Sequence, residues 1–452
     1  MSKKIRDTIF IAFIVLFIVI TVVTSLYASG YQFNLSWPPK FNRLLVKTGM
    51  LAAATTPSGA TIYLNGSPQK NPLANFLSRE YLTTPAKIKN LLPGEYDLRF
   101  VKDGYWPLEE KINIVSGQST FAENISLFKN DAPYLIASSS PAANVSGSSP
   151  DLALSPNRHY LYLPGLAAIV DLKSGLSKKL ATEGGAADSA AGVWLKNGNL
   201  FSGGLTFSPD GALNKNYREI IGADATDWLF EEATGRIYYR FKNSLAYWDG
   251  QSATTALSGE NYLIFEPRGH NLFTVVKNDS GVYLKNYDLN ATAIAVDQLG
   301  LPAAGAYRFI AVGSSWLNLY DDKNKTLYLI DPTDLNNYTA VKNVSGYVWL
   351  DNNQLIYSND WEIYWLALKS PGASLLTRVG EKISALALAP SGKYLLFVTD
   401  KSLNALDLRT DLATALLKAD RIGAPVLDEK NNLVYFQAAV NGSDGYYKLA
   451  LQ

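Results

Sequence analysis

Between Ile383 and Leu417 the chain reads ISALALAPSGKYLLFVTDKSLNALDLRTDLATALL, four apolar runs of four to seven residues separated by polar turns. Pro390-Ser391-Gly392-Lys393, Asp400-Lys401-Ser402 and Arg409-Thr410-Asp411 bound the runs, and their composition is that of turns. Four short strands in about 35 residues predict one blade of a β-propeller. A single blade leaves both faces uncovered, so the pattern should recur along the chain. It does, with unit starts at Leu152, Val193, Trp228, Tyr262, Phe309, Val348, Ile383 and Pro425. The last unit has room for only three strands before Gln452, and the apolar run 133–138 is placed to supply the fourth. Closing the ring in that way removes open sheet edges. The expectation is eight blades over 151–452, or seven, because the unit at 193–226 is the least regular.

Two other hydrophobic patterns precede this body. Residues 8–28, TIFIAFIVLFIVITVVTSLYA, carry no charge and follow a basic leader, 1–7, with Lys3, Lys4 and Arg6. Twenty or so apolar residues rising 1.5 Å each span a hydrocarbon core of about 30 Å. The leader predicts an N-terminus in the cytoplasm and everything beyond residue 30 outside. A cleaved signal peptide is the competing reading, with Ala28-Ser29-Gly30 as the small-residue site. Residues 29–50 form a juxtamembrane connector, in which Tyr31 and Trp37, with Tyr27 before them, suit the headgroup level and Pro38-Pro39 stiffens the chain. From 51 to 128, period-two alternation at 60–64, 96–101, 110–115 and 120–127 predicts a small β-sandwich. A link rich in Ser, Ala, Pro and Gly, 129–150, leads to the propeller.

The residues of 51–128 carry a resemblance. Pro57-Ser58-Gly59-Ala60 is followed by Asn65-Gly66, Thr84-Pro85, Leu92-Pro93-Gly94, Tyr96 and Lys102-Asp103-Gly104-Tyr105. That order of motifs resembles the PEGA domain, which implies a fold of transthyretin-like strands and no chemistry. Ser58 stands where the family has Glu, and residues 67–82 are longer than the usual link. Pro390 to Phe397 aligns with Ser155 to Tyr162 and, in its turn, with Phe207-Ser208-Pro209-Asp210-Gly211. This resembles the turn between the first two strands of TolB-like and lactonase-like blades. Asp171, Asp331 and Asp407 end the third strands; Tyr247-Trp248-Asp249-Gly250, a lone WD40-like sequence, is read as chance. The whole arrangement resembles membrane-anchored bacterial proteins with a PEGA domain and a C-terminal propeller. That likeness implies a location and an architecture, not an activity.

Composition narrows the chemistry. With 41 basic against 40 acidic residues, no basic face for nucleic acid is expected. The absence of Cys removes disulfides, thiolate nucleophiles and Cys-ligated metals, and two His, His159 and His270, are too few for a His-rich metal site. Both histidines are read as turn residues. The acidic pairs at Asp321-Asp322 and Asp331/Asp334 lack the spacing of a calcium loop and read as hairpins. Gly184-Gly185 and Gly203-Gly204 lack the Lys of a phosphate loop. No catalytic residue, cofactor or metal is expected. The candidate ligand patch is aromatic: Trp316, Trp349, Trp361 and Trp365, with Tyr347, Tyr357 and Tyr364, against inter-blade packing as the other use of those rings. The expected partners are the bilayer through 8–28 and an envelope protein or glycan. A propeller hydrolase, with Asp227 and Asp351 as its candidate carboxylates, and an assembly factor for envelope proteins are the alternatives.

Overall fold

The computed structural model of the chain describes residues 3–33, 45–70, 81–139, 152–181, 192–290, 295–310, 315–368 and 372–452. Trp37, Pro38, Pro39, Gly184 and Gly185 lie outside the described residues. The chain divides into two compact units, 1–131 and 132–451.

The first unit begins with one helix, Lys3–Ala28, whose stretch Thr8–Ala28 carries no charged residue, is long and apolar enough to cross a membrane, and is not covered by the rest of the protein. Thr21 and Thr24, in its C-terminal third, return their hydroxyls to the helix backbone, Thr21 to Phe17 O at 2.8 Å and Thr24 to Ile20 O at 2.7 Å. Each of these two hydroxyls is thereby satisfied within the helix. Tyr31–Phe33 then pairs antiparallel with Leu45–Lys47.

The sandwich follows. Gly49–Thr56 is flanked by Ala86–Leu91 antiparallel and Ser119–Ser126 parallel. The facing sheet runs Ser67–Pro68, Thr61–Leu64, Gly94–Val101, Leu108–Ile114. Leu51, Ile62, Leu98, Phe100 and Ile125 fill the space between them and are fully buried. The Pro57–Ala60 motif works through backbone. Gly59, at φ +86°, donates its N–H to Thr84 O at 2.7 Å, and Ala60 donates to the Thr84 hydroxyl at 3.1 Å. A side chain would be strained at that φ, which accounts for the glycine.

The second unit holds eight sheets among the described residues. Seven are antiparallel and four-stranded, and their strands lie side by side in chain order: 153–179, 193–216, 225–258, 261–301, 307–341, 346–378 and 383–418, blades 1 to 7. In blade 8, Arg421–Ile422 and Val426–Asp428 share the innermost position, then come Leu433–Val440 and Ser443–Ala450. Tyr134–Ser138, from the start of the unit, pairs with Ser443–Ala450 as the outermost strand. Apolar clusters sit between consecutive blades, such as Tyr162, Trp194 and Phe207 between 1 and 2, and Leu161, Val170, Tyr435 and Tyr446 between 1 and 8. The last cluster closes the ring, and the fold is a β-propeller of eight blades. Blade 2 is the irregular one, with strands of two to four residues and a short helix, Tyr217–Ile221, after its fourth strand.

One reading of the turns is corrected. Phe207-Ser208-Pro209-Asp210-Gly211 joins the third and fourth strands of blade 2, not the first and second. Gly211 N bonds Ser208 O much as Gly392 N bonds Ala389 O, so the local turn is alike while its place in the blade differs. Asp249 caps a turn of its own. Its Oδ1 accepts the N–H groups of Gln251 and Ser252 beyond the third strand of blade 3. Asp171 does the same for Lys173 and Ser174, and Asp407 for Arg409 and Thr410.

Candidate functional site

In an antiparallel four-stranded blade the hairpin between strands two and three lies at the same end as the crossover to the next blade. That rim carries three notches of similar construction. Between blades 5 and 6 a cavity of about 280 Å3 is lined by Lys325, Asn343, Val344, Ser345, Asn359, Asp360 and Trp361. Between blades 3 and 4 one of about 360 Å3 is lined by residues that include Arg240, Lys242 and Glu260. Between blades 7 and 8 one of about 390 Å3 includes Glu381, Lys401, Ser402 and Asp420. Each takes a lysine from a second hairpin and a carboxylate from its surroundings. Only the notch between blades 5 and 6 has a tryptophan among its lining residues.

The four tryptophans singled out from sequence do not share one surface. Trp316 and Trp349, with Tyr347 and Tyr357, pack on the cluster between blades 5 and 6. Trp316 also donates its indole N–H to Asn352 O at 2.9 Å. Trp365 faces the other way, into the cluster between blades 6 and 7, and donates to Gln354 Oε1 at 3.1 Å. Trp361 alone of the four is strongly exposed, at 50%.

Its main chain is nonetheless held closely. Asn359 Oδ1 accepts the N–H groups of Trp361 and Glu362 at 2.8 and 2.7 Å, and Val379 N donates to Trp361 O at 2.9 Å. Asn359 Nδ2 in turn donates to Glu362 Oε2 at 2.8 Å. Glu362 also accepts the Tyr364 hydroxyl at 2.5 Å and Arg378 Nε at 2.8 Å. These bonds, Tyr364 first and then Asn359 and Arg378, hold the Glu362 carboxyl down to about 2. The wall opposite is set by Val344, whose N–H donates to Lys325 O at 2.9 Å and whose carbonyl accepts the Tyr320 hydroxyl. The result is a half-exposed indole carried on a fixed turn, beside amides, one carboxylate and one ammonium. Such a set can stack on an apolar sugar or side-chain face and hydrogen-bond its polar rim.

The other candidates are engaged elsewhere. Asp227 accepts Arg240 Nε at 2.5 Å, and the same arginine reaches the carbonyls of Tyr262 and Leu263 across the joint to blade 4. Asp351 Oδ1 closes its own turn on Asn353 N at 2.7 Å. Asp321 is buried. Burial pushes its carboxyl up, but bonds from Asn324, Ala306 and Lys323 outweigh this and hold it below the usual range. His159 and His270 occupy one position of the blade repeat. Their carbonyls accept the N–H of Leu172 and Leu289, as Asn353, Lys393 and Asn432 accept from Leu368, Leu408 and Leu451. Among the described residues no three His, Asp or Glu side chains are gathered to hold a metal ion.

One pair was missed in the sequence. Glu231 and Glu266 lie on the innermost strands of blades 3 and 4. Burial pushes the Glu266 carboxyl up against the pull of Arg268, whose Nε lies 3.8 Å away, and Glu231 adds to the rise. Glu231 itself accepts Gly269 N and, at 2.6 Å, the Thr234 hydroxyl, which ties blade 3 to the first hairpin of blade 4. No spacing rule marks such a pair, because the partners come from different blades.

Residues 48–127 match the PEGA domain family, which agrees with the motif order from Pro57 to Tyr105. No curated protein matches the chain. Solved structures similar to it include the Dos1 propeller, at 12% identity and a TM-score of 0.47, over 71% of this chain and 95% of that one. A eukaryotic initiation factor is similar at 11% identity and 0.45, over 76% and 94%. The C-terminal WD40 domain of Sif2 is similar at 14% and 0.39, over 78% and 89%.

Proposed function

We propose that this chain is a membrane-anchored binding or scaffold protein of the cell envelope, held by Thr8–Ala28 with its N-terminus in the cytoplasm and its two β units outside, and that it performs no catalysis. The uncharged helix and the leader with Lys3, Lys4 and Arg6 support the anchor and its direction. The observation that carries the binding reading is Trp361. Leaving a large apolar ring half in water costs stability, yet a network of Asn359, Glu362, Tyr364 and Arg378 fixes the turn that presents it. A glycan or a peptide side chain is the ligand class that suits this notch.

The test is a thermal-unfolding screen of the full-length chain in detergent against wall-type oligosaccharides and peptides, with and without EDTA. A shift that disappears in Trp361→Ala, with the unliganded midpoint unchanged, is expected. A shift that survives Trp361→Ala sinks the assignment to this notch. A hydrolase is the second reading, favoured by the raised carboxyl of Glu266 beside Arg268 and Glu231. Turnover of lactone or glycoside substrates that is abolished by Glu266→Gln would establish it and overturn the non-catalytic proposal.

A further inference from the structure

The helix does not hand over to the sandwich through a free tether. Asn90 Nδ2 donates to the Tyr27 hydroxyl at 3.1 Å, one residue from the end of the apolar stretch. Gly30 O accepts both the N–H and the hydroxyl of Thr48, each at 2.7 Å. Thr48 O accepts Gly117 N at 2.9 Å, and Ser116 Oγ donates to Lys47 O at 2.9 Å. Helix exit, strand pair and two sandwich turns are thus joined by hydrogen bonds that do not depend on one another.

These bonds set a depth. A stretch of 21 residues rising about 1.5 Å each is matched to a hydrocarbon core of about 30 Å. Tyr27 then lies at the headgroup boundary, where a ring with a polar tip is most stable. Whatever touches its hydroxyl shares that depth. After Asn90 the strand ends at Leu91 and Leu92-Pro93 turns the chain, with the leucines half-buried and Pro93 exposed. At the same end of the sandwich Val115 is 41% exposed. The charges nearby are Lys47 and Lys89 against Glu95, all exposed.

We infer that this end of the sandwich, the turns 90–94 and 115–118, rests in the headgroup layer of the bilayer that the helix crosses. The partner is the lipid surface itself, and the inference rests on the membrane-anchor reading above. The Pro57–Ala60 motif and the 102–105 turn are at the far end of strands of eight residues, roughly 26 Å away. The sandwich is then a fixed pedestal and not a swinging bead.

The chain has no Cys, so single cysteines give unique labels. Full-length Pro93→Cys, Val115→Cys, Asp103→Cys and Val19→Cys would each carry a nitroxide in phosphatidylcholine–phosphatidylglycerol vesicles. Relaxation by oxygen and by a water-soluble nickel chelate is then compared. Labels at 93 and 115 are expected to show several-fold less nickel access than the label at 103, and more oxygen access. Equal nickel access at 93, 115 and 103, with the label at 19 reached only by oxygen, overturns the inference and leaves the anchor standing. Nickel access at 19 removes the anchor and the inference together.

Discussion

Arg158 Nη1 lies 2.6 Å from Asp428 Oδ1, a contact between residues 270 positions apart that joins the first hairpin of blade 1 to that of blade 8. Asp428 is fully buried, while the arginine side chain is 30% exposed. The same carboxylate caps its own turn, accepting Asn431 N at 3.3 Å and Asn431 Nδ2 at 2.7 Å. Ring closure therefore combines an ion pair with the apolar cluster of Leu161, Val170, Tyr435 and Tyr446. Breaking a buried pair from one side leaves the other charge uncompensated, at about 3–5 kcal/mol.

Arg158→Ala is expected to destabilise the propeller by about 3 kcal/mol, since it strands a carboxylate that water does not reach. Asp428→Ala loses the same pair and the turn cap. The double variant should cost less than the sum of the two, because the second removal relieves the charge left by the first. Chemical unfolding of the full chain in detergent reads all three, and strict additivity would show that the pair does not couple the blades.

Gly445→Ala tests the closing strand. A Cβ at Gly445 would meet Leu135 Cδ1 at 2.4 Å and Ala137 O at 2.8 Å. The second atom is backbone and does not rotate away, so Tyr134–Ser138 must shift off Ser443–Ala450. Overpacking of this kind costs about 1–3 kcal/mol. It also bares a sheet edge, and bare edges pair with other chains. A lower unfolding midpoint with concentration-dependent association in light scattering is the expected result. An unchanged, monodisperse variant would mean that the outer strand contributes little to closure.

The blades were legible because their signal is local and repeats. All eight unit starts fall within or beside a first strand, and the shortage of residues after Pro425 pointed to a strand from elsewhere. Locality also explains the errors. Pro209-Asp210-Gly211 makes the same turn wherever a hairpin needs one, and only the polar strand after it, Leu213–Asn216, marks it as the outer hairpin. The aromatic patch failed for a reason of period. Side chains alternate along a strand, so Trp349 packs toward blade 5 while Val348 packs toward blade 7, and Leu366 and Trp365 divide in the same way. Trp361 escapes because it stands in a turn. The notch around it was illegible, since Lys325, Asn343 and Asn359 come from separate loops and each reads as an ordinary turn residue.

Thr84 is the residue on which the Pro57–Ala60 turn depends. Its hydroxyl accepts Ala60 N at 3.1 Å and lies 2.6 Å from the Thr55 hydroxyl, both inside the sandwich. Thr84→Val keeps the shape and removes the oxygen, leaving a buried N–H without its acceptor at about 1–3 kcal/mol. Thr84→Ser keeps the oxygen and should cost less. Hydrogen exchange at Ala60 separates the two, and equal protection in both variants would show that the hydroxyl is dispensable.

Acid should release the turn that presents Trp361. The Glu362 carboxyl is held at about 2, below the ordinary 4.5, by bonds from Tyr364, Asn359 and Arg378. A carboxyl depressed on folding contributes stability that is fully present above its unfolded value. That contribution is lost as pH falls through the window from about 4.5 to about 2. Protonation weakens the hold of Glu362 on Asn359, whose Oδ1 fixes Trp361 N. The wild type should therefore show a Trp361-dependent change in fluorescence across that window, seen as a difference from Trp361→Phe. Glu362→Gln should already have the acid-form signal at neutral pH and a flatter acid limb in its unfolding midpoint. If the wild type and Glu362→Gln follow the same curve from pH 5 to 2, another carboxyl governs the acid response and the turn does not rely on Glu362.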